Sequence, residues 1–217
     1  MIETLRPGIH RWTARHPDWH PADAFGAEVA SYALTGDDTG TLLLIDPLLP
    51  DDAPDLLDDL ARDARGGVAI FITIGYHVRS TAALVERYDA TAYGPDPARR
   101  RNPDVRPLDG PLPAGVTAHT IGRPRRSERP LHFPSHRAIA FGDAVVTTPE
   151  GELRMWCQDA VTPDRERFYA ERFAPTLQRL IDREPLHVLT THGCPQMDNG
   201  ANVLARCAAN PPWFHHS

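Results

Sequence analysis

Phe71 to Leu84, FITIGYHVRSTAAL, runs from apolar residues through a glycine turn into a helical pattern, a join that delivers side chains to a site. The turn carries Tyr76, His77 and Arg79. A histidine titrates near neutrality, so His77 is the best general base available if it faces a pocket. Cys194, two residues after His192, invites comparison with a thiolate nucleophile. That chemistry needs an exposed thiol of lowered pKa, and a small buried residue is the preferred reading. His10, His16 and His20 lie among Trp12, Pro17 and Trp19 in HRWTARHPDWH. Their irregular spacing in a predicted loop makes a weak metal cluster, and the tryptophans are read as covering one end of the core or the mouth of a cleft.

The elements that must hold these residues are short. Glu28–Leu34, Thr41–Asp46 and Val68–Ile74 read as strands, being apolar or alternating and bounded by turn residues. An acidic helix is predicted between the last two, with Leu56, Leu57, Leu60 and Ala64 at helical spacing, and a second over Ser80 to Tyr88. TAYG, VTAHTI, AIAFGDAVV and PLHVLTTHG read as further strands. A long helix is predicted over Asp164 to Arg183 and a closing one over Asn199 to Ala208. Strands and helices in alternation, with no repeat and no linker, argue one layered α/β domain over residues 1–217.

Composition narrows the classes of function. The 217 residues are 41% hydrophobic and 24% charged, as in soluble globular domains. All 23 basic residues are arginine, which excludes a Schiff-base lysine and the lysine of a P-loop. A net charge of -6, with acid gathered at Asp51 to Asp63, disfavours nucleic acid. No apolar run suits a membrane span, and the first twenty residues lack the apolar core of a secretory signal, so the protein reads as cytoplasmic. Three cysteines, an odd number at no metal-finger spacing, argue against a disulfide framework.

The order of segments resembles the metallo-β-lactamase fold, a four-layer αββα sandwich whose hydrolases hold one or two metal ions at strand ends. The resemblance covers roughly residues 8 to 208. EVASYALTGDDTGTLLLIDPLLP is similar to the family's opening strands, the second ending in an aspartate, here Asp46. FITIGYHVRSTAAL occupies the place of the His-x-His-x-Asp-His motif, HTIGRPRRS that of a Gly-His turn, AIAFGDAVV that of the Gly-Asp strand and VLTTHGCP that of the final His-Gly turn.

The metal motif itself is missing. The resemblance puts Ile74, Tyr76, Val78 and Arg79 at the ligand positions and Arg123 at the Gly-His turn, leaving Asp143 and His192 of the family's set. Isoleucine and valine offer no lone pair, and arginine does not give up its proton. Two remaining ligands are too few where catalytic zinc usually takes three, and without the ion no acidified water forms. The resemblance further implies that His77, at a spacer position, points away and Tyr76 points in, toward Asp143 or His192. Arg79 and Arg123 would stand where the metal stood, either balancing Asp143 or clamping an anion.

The reading is a metal-free protein with no cofactor whose vestigial cleft, lined by Tyr76, Arg79, Arg123, Asp143 and His192, binds a small molecule, an anionic one if the arginines clamp it. Its rivals are a hydrolase or lyase working without metal through Tyr76, His77 and His192, or with one weakly held ion on Asp143, His192 and a rotated His77, and a structural protein whose cleft is filled. No nucleic-acid or membrane partner is expected, and a homodimer stays open.

Overall fold

A computed structural model describes residues 1–21, 23 and 25–214. Seven strands form the first sheet in chain order: β1 (Glu3–Arg6), β2 (Ile9–Arg15), β3 (Glu28–Leu34), β4 (Leu42–Ile45), β5 (Val68–Phe71), β6 (Thr91–Gly94) and β7 (Arg106–Pro107). Pairing is antiparallel from β1 to β4 and parallel from β4 to β7. The second sheet holds β8 (Thr117–Ala118), β9 (Leu131–Phe133) and β10 (Ala138–Phe141). A separate ribbon pairs β11 (Val145–Thr147) with β12 (Leu153–Met155), and β13 (His187–Thr190) lies parallel to β10.

Alternation along the strands explains the layering, since neighbouring side chains leave a strand on opposite faces. Leu43, Ile45 and Phe71 join Leu131, Phe133, Ala140 and Leu189 in a core between the two sheets. Leu42, Leu44 and Ile70 face the other way, onto Leu57, Leu84 and Ala98. The last three belong to or adjoin helices α1 (Asp58–Asp63), α2 (Thr81–Tyr88) and α3 (Asp96–Arg101). Beyond the second sheet, Ile139, Phe141 and Val188 pack on Phe173, Leu177, Leu180, Leu204 and Cys207. Those residues come from the Pro163–Ile181 segment and a closing helix. Three apolar cores between four layers make an αββα sandwich, and strands apolar on both faces are what such burial requires. Each fully buried Leu or Phe contributes about 1.5–3 kcal/mol.

Three segments differ from the sequence reading. HRWTAR is strand β2, with Trp12 only 1% exposed in the core, because β3 supplies a continuous antiparallel partner from Ile9 to Arg15. The arginine-rich loop contains helix α3, started by Pro97 near its N-terminus. The single helix over Asp164 to Arg183 is broken into α4 (Pro163–Phe168), a π turn at Tyr169–Phe173, a 3₁₀ turn at Ala174–Leu177 and α5 (Gln178–Ile181). Pro175 has no N–H to continue the ladder, and the Thr176 hydroxyl donates to the Phe173 carbonyl at 2.6 Å instead. The chain closes with α6 (Gly200–Ala209), and Trp213 then bridges to Trp156, so the described part of the tail caps the fold. Among the described residues no helix is long and apolar enough to cross a membrane.

Candidate functional site

Parallel pairing brings strand ends together, and the site is built on four of them. Ile45 pairs with Phe71, so Asp46 and Thr73 follow side by side from β4 and β5. Phe141 pairs with Thr190, so Asp143 and His192 each lie two residues beyond a matched pair. The sheets are stitched at this edge by Tyr32, whose hydroxyl donates to the Thr190 carbonyl at 2.8 Å, and by the Ala30 N–H, which donates to the Thr191 carbonyl at 2.9 Å.

Asp46 is 2% exposed and organises the centre. Its Oδ1 accepts from the Thr73 N–H at 2.8 Å, and its Oδ2 accepts from the Thr73 hydroxyl at 2.5 Å and from His77 Nδ1 at 2.9 Å. The other ring nitrogen, His77 Nε2, lies 3.3 Å from Asp143 Oδ1, and His192 Nε2 lies 3.4 Å from the same oxygen. That oxygen is buried and makes no hydrogen bond of good geometry, so charge holds it in place. Burial and Arg79 oppose protonation of His77, but Asp46 and Asp143 outweigh them and hold its pKa up at about 9. Burial likewise opposes ionisation of Asp143, yet His77 and His192 keep its carboxyl well below the usual range. Burial lowers His192 against the pull of Asp143, leaving that ring neutral.

This corrects the expected orientations. Residues Gly75–Val78 form a 3₁₀ turn, closed by the His77 N–H on the Ile74 carbonyl at 2.9 Å. The turn swings His77 inward, where it is 4% exposed, and Tyr76 outward, where it is 67% exposed under the Arg101 guanidinium. Arg79 does reach the cleft: its Nη1 donates to the Asp46 carbonyl at 2.8 Å, while its Nε is buried without a partner. Asp46 and Arg79 both carry positive φ (46° and 33°), an uncommon conformation for such residues that tends to gather at functional sites. Arg123 is exposed and does not line the cleft. Gly122 is pinned outward by its N–H on Thr176 Oγ1 at 3.0 Å, and the chain then curls through Arg125 to Glu128.

Sequence reasoning misses Glu128. It is fully buried, and its carboxylate accepts from the backbone N–H groups of Gly142, Asp143 and Ala144 at 2.8–3.0 Å. It thereby sets the loop that aims Asp143. Burial and Asp143 push its pKa up to about 7 against the pull of those N–H groups. A glutamate in a loop just past a double arginine gives no periodic signal, so only the fold shows it. Gly193 (φ 81°) lets the His192 carbonyl accept from the Thr147 N–H at 3.0 Å, and a Cβ there would strike the Thr147 carbonyl.

These groups open onto a cavity of about 550 Å³ whose lining includes His16, Trp19, Phe25, Tyr76, Arg79, Trp156 and His192. Phe25 lies flat on the His192 ring, centroids 3.7 Å apart at 8°. His10 bonds Thr4 and Thr35 instead, and His20 is exposed, so the N-terminal histidines do not gather. Cys194 is exposed, not buried as expected, because the Gly193 turn carries it outward; Cys157 and Cys207 are buried.

The donor set does not suit the metal of the resembled family. Among the described residues no group of three His, Cys, Asp or Glu side chains is arranged to hold an ion. Both ring nitrogens of His77 face carboxylates, Nδ1 on Asp46 at 2.9 Å and Nε2 toward Asp143 at 3.3 Å, and the Arg79 guanidinium stands close enough to act on both histidines and Asp143.

No family model and no curated protein sequence matches the chain. Solved structures do. DIM-1 metallo-β-lactamase exposed to ceftazidime is similar at a TM-score of 0.65 and 16% identity, over 96% of each chain. A metallo-β-lactamase family protein of Thermus thermophilus is similar at 0.58 and 17%, over 95% of this chain and 78% of the other. The chemotaxis sensor ODP, in a peroxy diiron species, is similar at 0.59 and 15%, over 98% and 96%. The chain has the metallo-β-lactamase fold, and it carries that fold with most positions of the metal motif replaced.

Proposed function

We propose that this protein binds a small anionic molecule in the cleft of a metallo-β-lactamase fold and does so without a metal ion. The observation that carries the reading is Arg79, whose guanidinium lies on the cavity wall and is anchored there by Nη1 on the Asp46 carbonyl. An oxyanion in the cavity would meet that fixed charge. The carboxylates Asp46 and Asp143 do not compete for it, since His77 lies between them, 2.9 and 3.3 Å from each. The cavity of about 550 Å³ supports this reading over a cleft filled by its own side chains.

Elemental analysis of protein purified without chelator, followed by titration with benzoate and phosphate, tests the proposal. Substoichiometric metal and anion binding that disappears in Arg79→Met are expected. One equivalent of zinc, iron or manganese, lost in Asp143→Asn, refutes the metal-free reading.

A second reading, a hydrolase or lyase using its own side chains, is favoured by the neutral His192 ring on the cavity wall. Its free lone pair suits a general base, and Asp143 orients it. Turnover of an ester or amide panel that vanishes in His192→Gln while anion binding persists would select that reading.

A further inference from the structure

A second hollow, of about 980 Å³, adjoins the cavity, and four residues line both: His16, Asp18, Tyr76 and Arg79. The region common to the two spaces therefore carries one guanidinium and one carboxylate. The carboxylates deeper in the cluster, Asp46 and Asp143, are already met by His77. Asp18 has no such partner. It is exposed, its backbone N–H donates to His16 Nδ1 at 3.2 Å, and among the described residues no ion pair includes it. Asp23, on the wall of the first cavity, is likewise exposed and outside any ion pair. The adjoining hollow repeats the pattern, with Arg15 and Arg101 on its wall beside Asp51 and Asp52.

Neither space is thus lined by one sign of charge. A purely anionic ligand would face unbalanced carboxylates whichever way it extended from Arg79, whereas one carrying both signs would find a partner for each. His16 locates the meeting of the two fields. Burial and the charges of Arg79 and His77 lower its pKa while Asp18 and Asp23 raise it, so this ring is neutral at pH 7 and stands within reach of cation and anion alike.

We propose that the ligand is a zwitterion, an aminocarboxylate whose carboxylate meets Arg79 and whose ammonium lies toward Asp18 and Asp23; this rests on the anion-binding reading above. The guanidinium fork matches a carboxylate in two parallel bonds, and a strongly hydrated ammonium suits exposed carboxylates at a rim better than a dry pocket. A volume of about 550 Å³ leaves room for an organic body beyond the two charged groups, lying within the roughly 300–1,000 Å³ of small-molecule sites.

Calorimetry on the full chain with two matched sets of probes tests the proposal. The first is leucine, 4-methylpentanoate and 3-methylbutylamine; the second is 5-aminopentanoate and pentanoate, which covers a wider spacing of the charges. In at least one set the amino acid should bind about two- to fivefold tighter than the acid lacking the ammonium, the range of a solvent-exposed ion pair, and the preference should shrink as salt is raised. Asp18→Asn, an exposed change that keeps the backbone bond to His16, should cut the preference to less than about 1.5-fold without weakening the plain acid. Plain acids that bind as tightly as the amino acids in both sets overturn the zwitterion and leave anion binding standing. A preference unchanged in both Asp18→Asn and the Asp18→Asn, Asp23→Asn double variant overturns the place given to the ammonium, and the proposal with it. Failure of every carboxylate to bind at millimolar concentration sinks the anion-binding reading itself. Binding of 3-methylbutylamine as tight as that of leucine overturns both.

Discussion

Raising the pH should weaken this fold through His77. The ring is buried between Asp46 and Asp143, and its pKa is held at about 9 against an ordinary 6.5. One pKa unit corresponds to about 1.4 kcal/mol, so the protonated ring contributes on the order of 3 kcal/mol. Because the folded-state pKa is the raised one, that stability is fully present below 6.5 and fades as the pH climbs through about 9. Glu128 works in the same direction at lower pH: its carboxyl is raised from 4.5 to about 7, so its contribution fades across that interval. Urea unfolding at closely spaced pH values gives the combined curve, and ring-proton NMR of His77 gives its titration directly. His77→Gln should flatten the limb above pH 7 and leave the lower limb intact. A His77 resonance that titrates at or below 6.5, or a variant that loses as much stability between pH 7 and 9 as the parent, would refute the reasoning.

Asp46→Asn removes the charge facing His77 and weakens both bonds to Thr73. Leaving one partner of a buried pair alone costs about 3–5 kcal/mol, and a loss under about 1 kcal/mol in urea would contradict the role given to Asp46. Glu128→Gln turns an amide NH₂ toward backbone donors that now share a carboxylate, and each orphaned N–H costs about 1–3 kcal/mol. Faster amide exchange at Gly142, Asp143 and Ala144 should accompany it; unchanged exchange would show that another group holds the loop. Arg79→Met and Asp143→Asn should be non-additive, since each charge acts on the other, with a coupling of about 0.5–3 kcal/mol in a double-mutant cycle. Strict additivity would place the two in separate environments.

The strands that carry the site are legible because their signal is local. Glu28–Leu34 and Thr91–Gly94 match their sequence assignments residue for residue, both being apolar runs bounded by turns. The four-layer architecture follows from the same alternation. What a sequence reading lacks is the geometry of one turn. A motif register fixes which residues are neighbours in sequence, but the 3₁₀ turn at Gly75–Val78 decides which of Tyr76 and His77 faces inward. A one-residue rotation exchanges their roles. Arg123 fails for a related reason: its turn is set by a long-range bond from Gly122 to Thr176, 54 residues away, which no local pattern reveals. Glu128, whose partners lie 14 to 16 residues on, is hidden in the same way.

Carboxylates at the ends of buried strands need positive charge beside them, whatever supplies it. In this chain the imidazolium of His77 and the guanidinium of Arg79 face Asp46 and Asp143, so below a pH of about 9 two cations meet two anions and the cluster is balanced by its own side chains. Buried ion pairs of this kind roughly break even in stability against apolar packing, so their use lies in fixing geometry. The geometry fixed here holds two strand ends from each sheet in register and sets Arg79 on the wall of a cavity. A divalent ion can be exchanged or stripped; a guanidinium cannot.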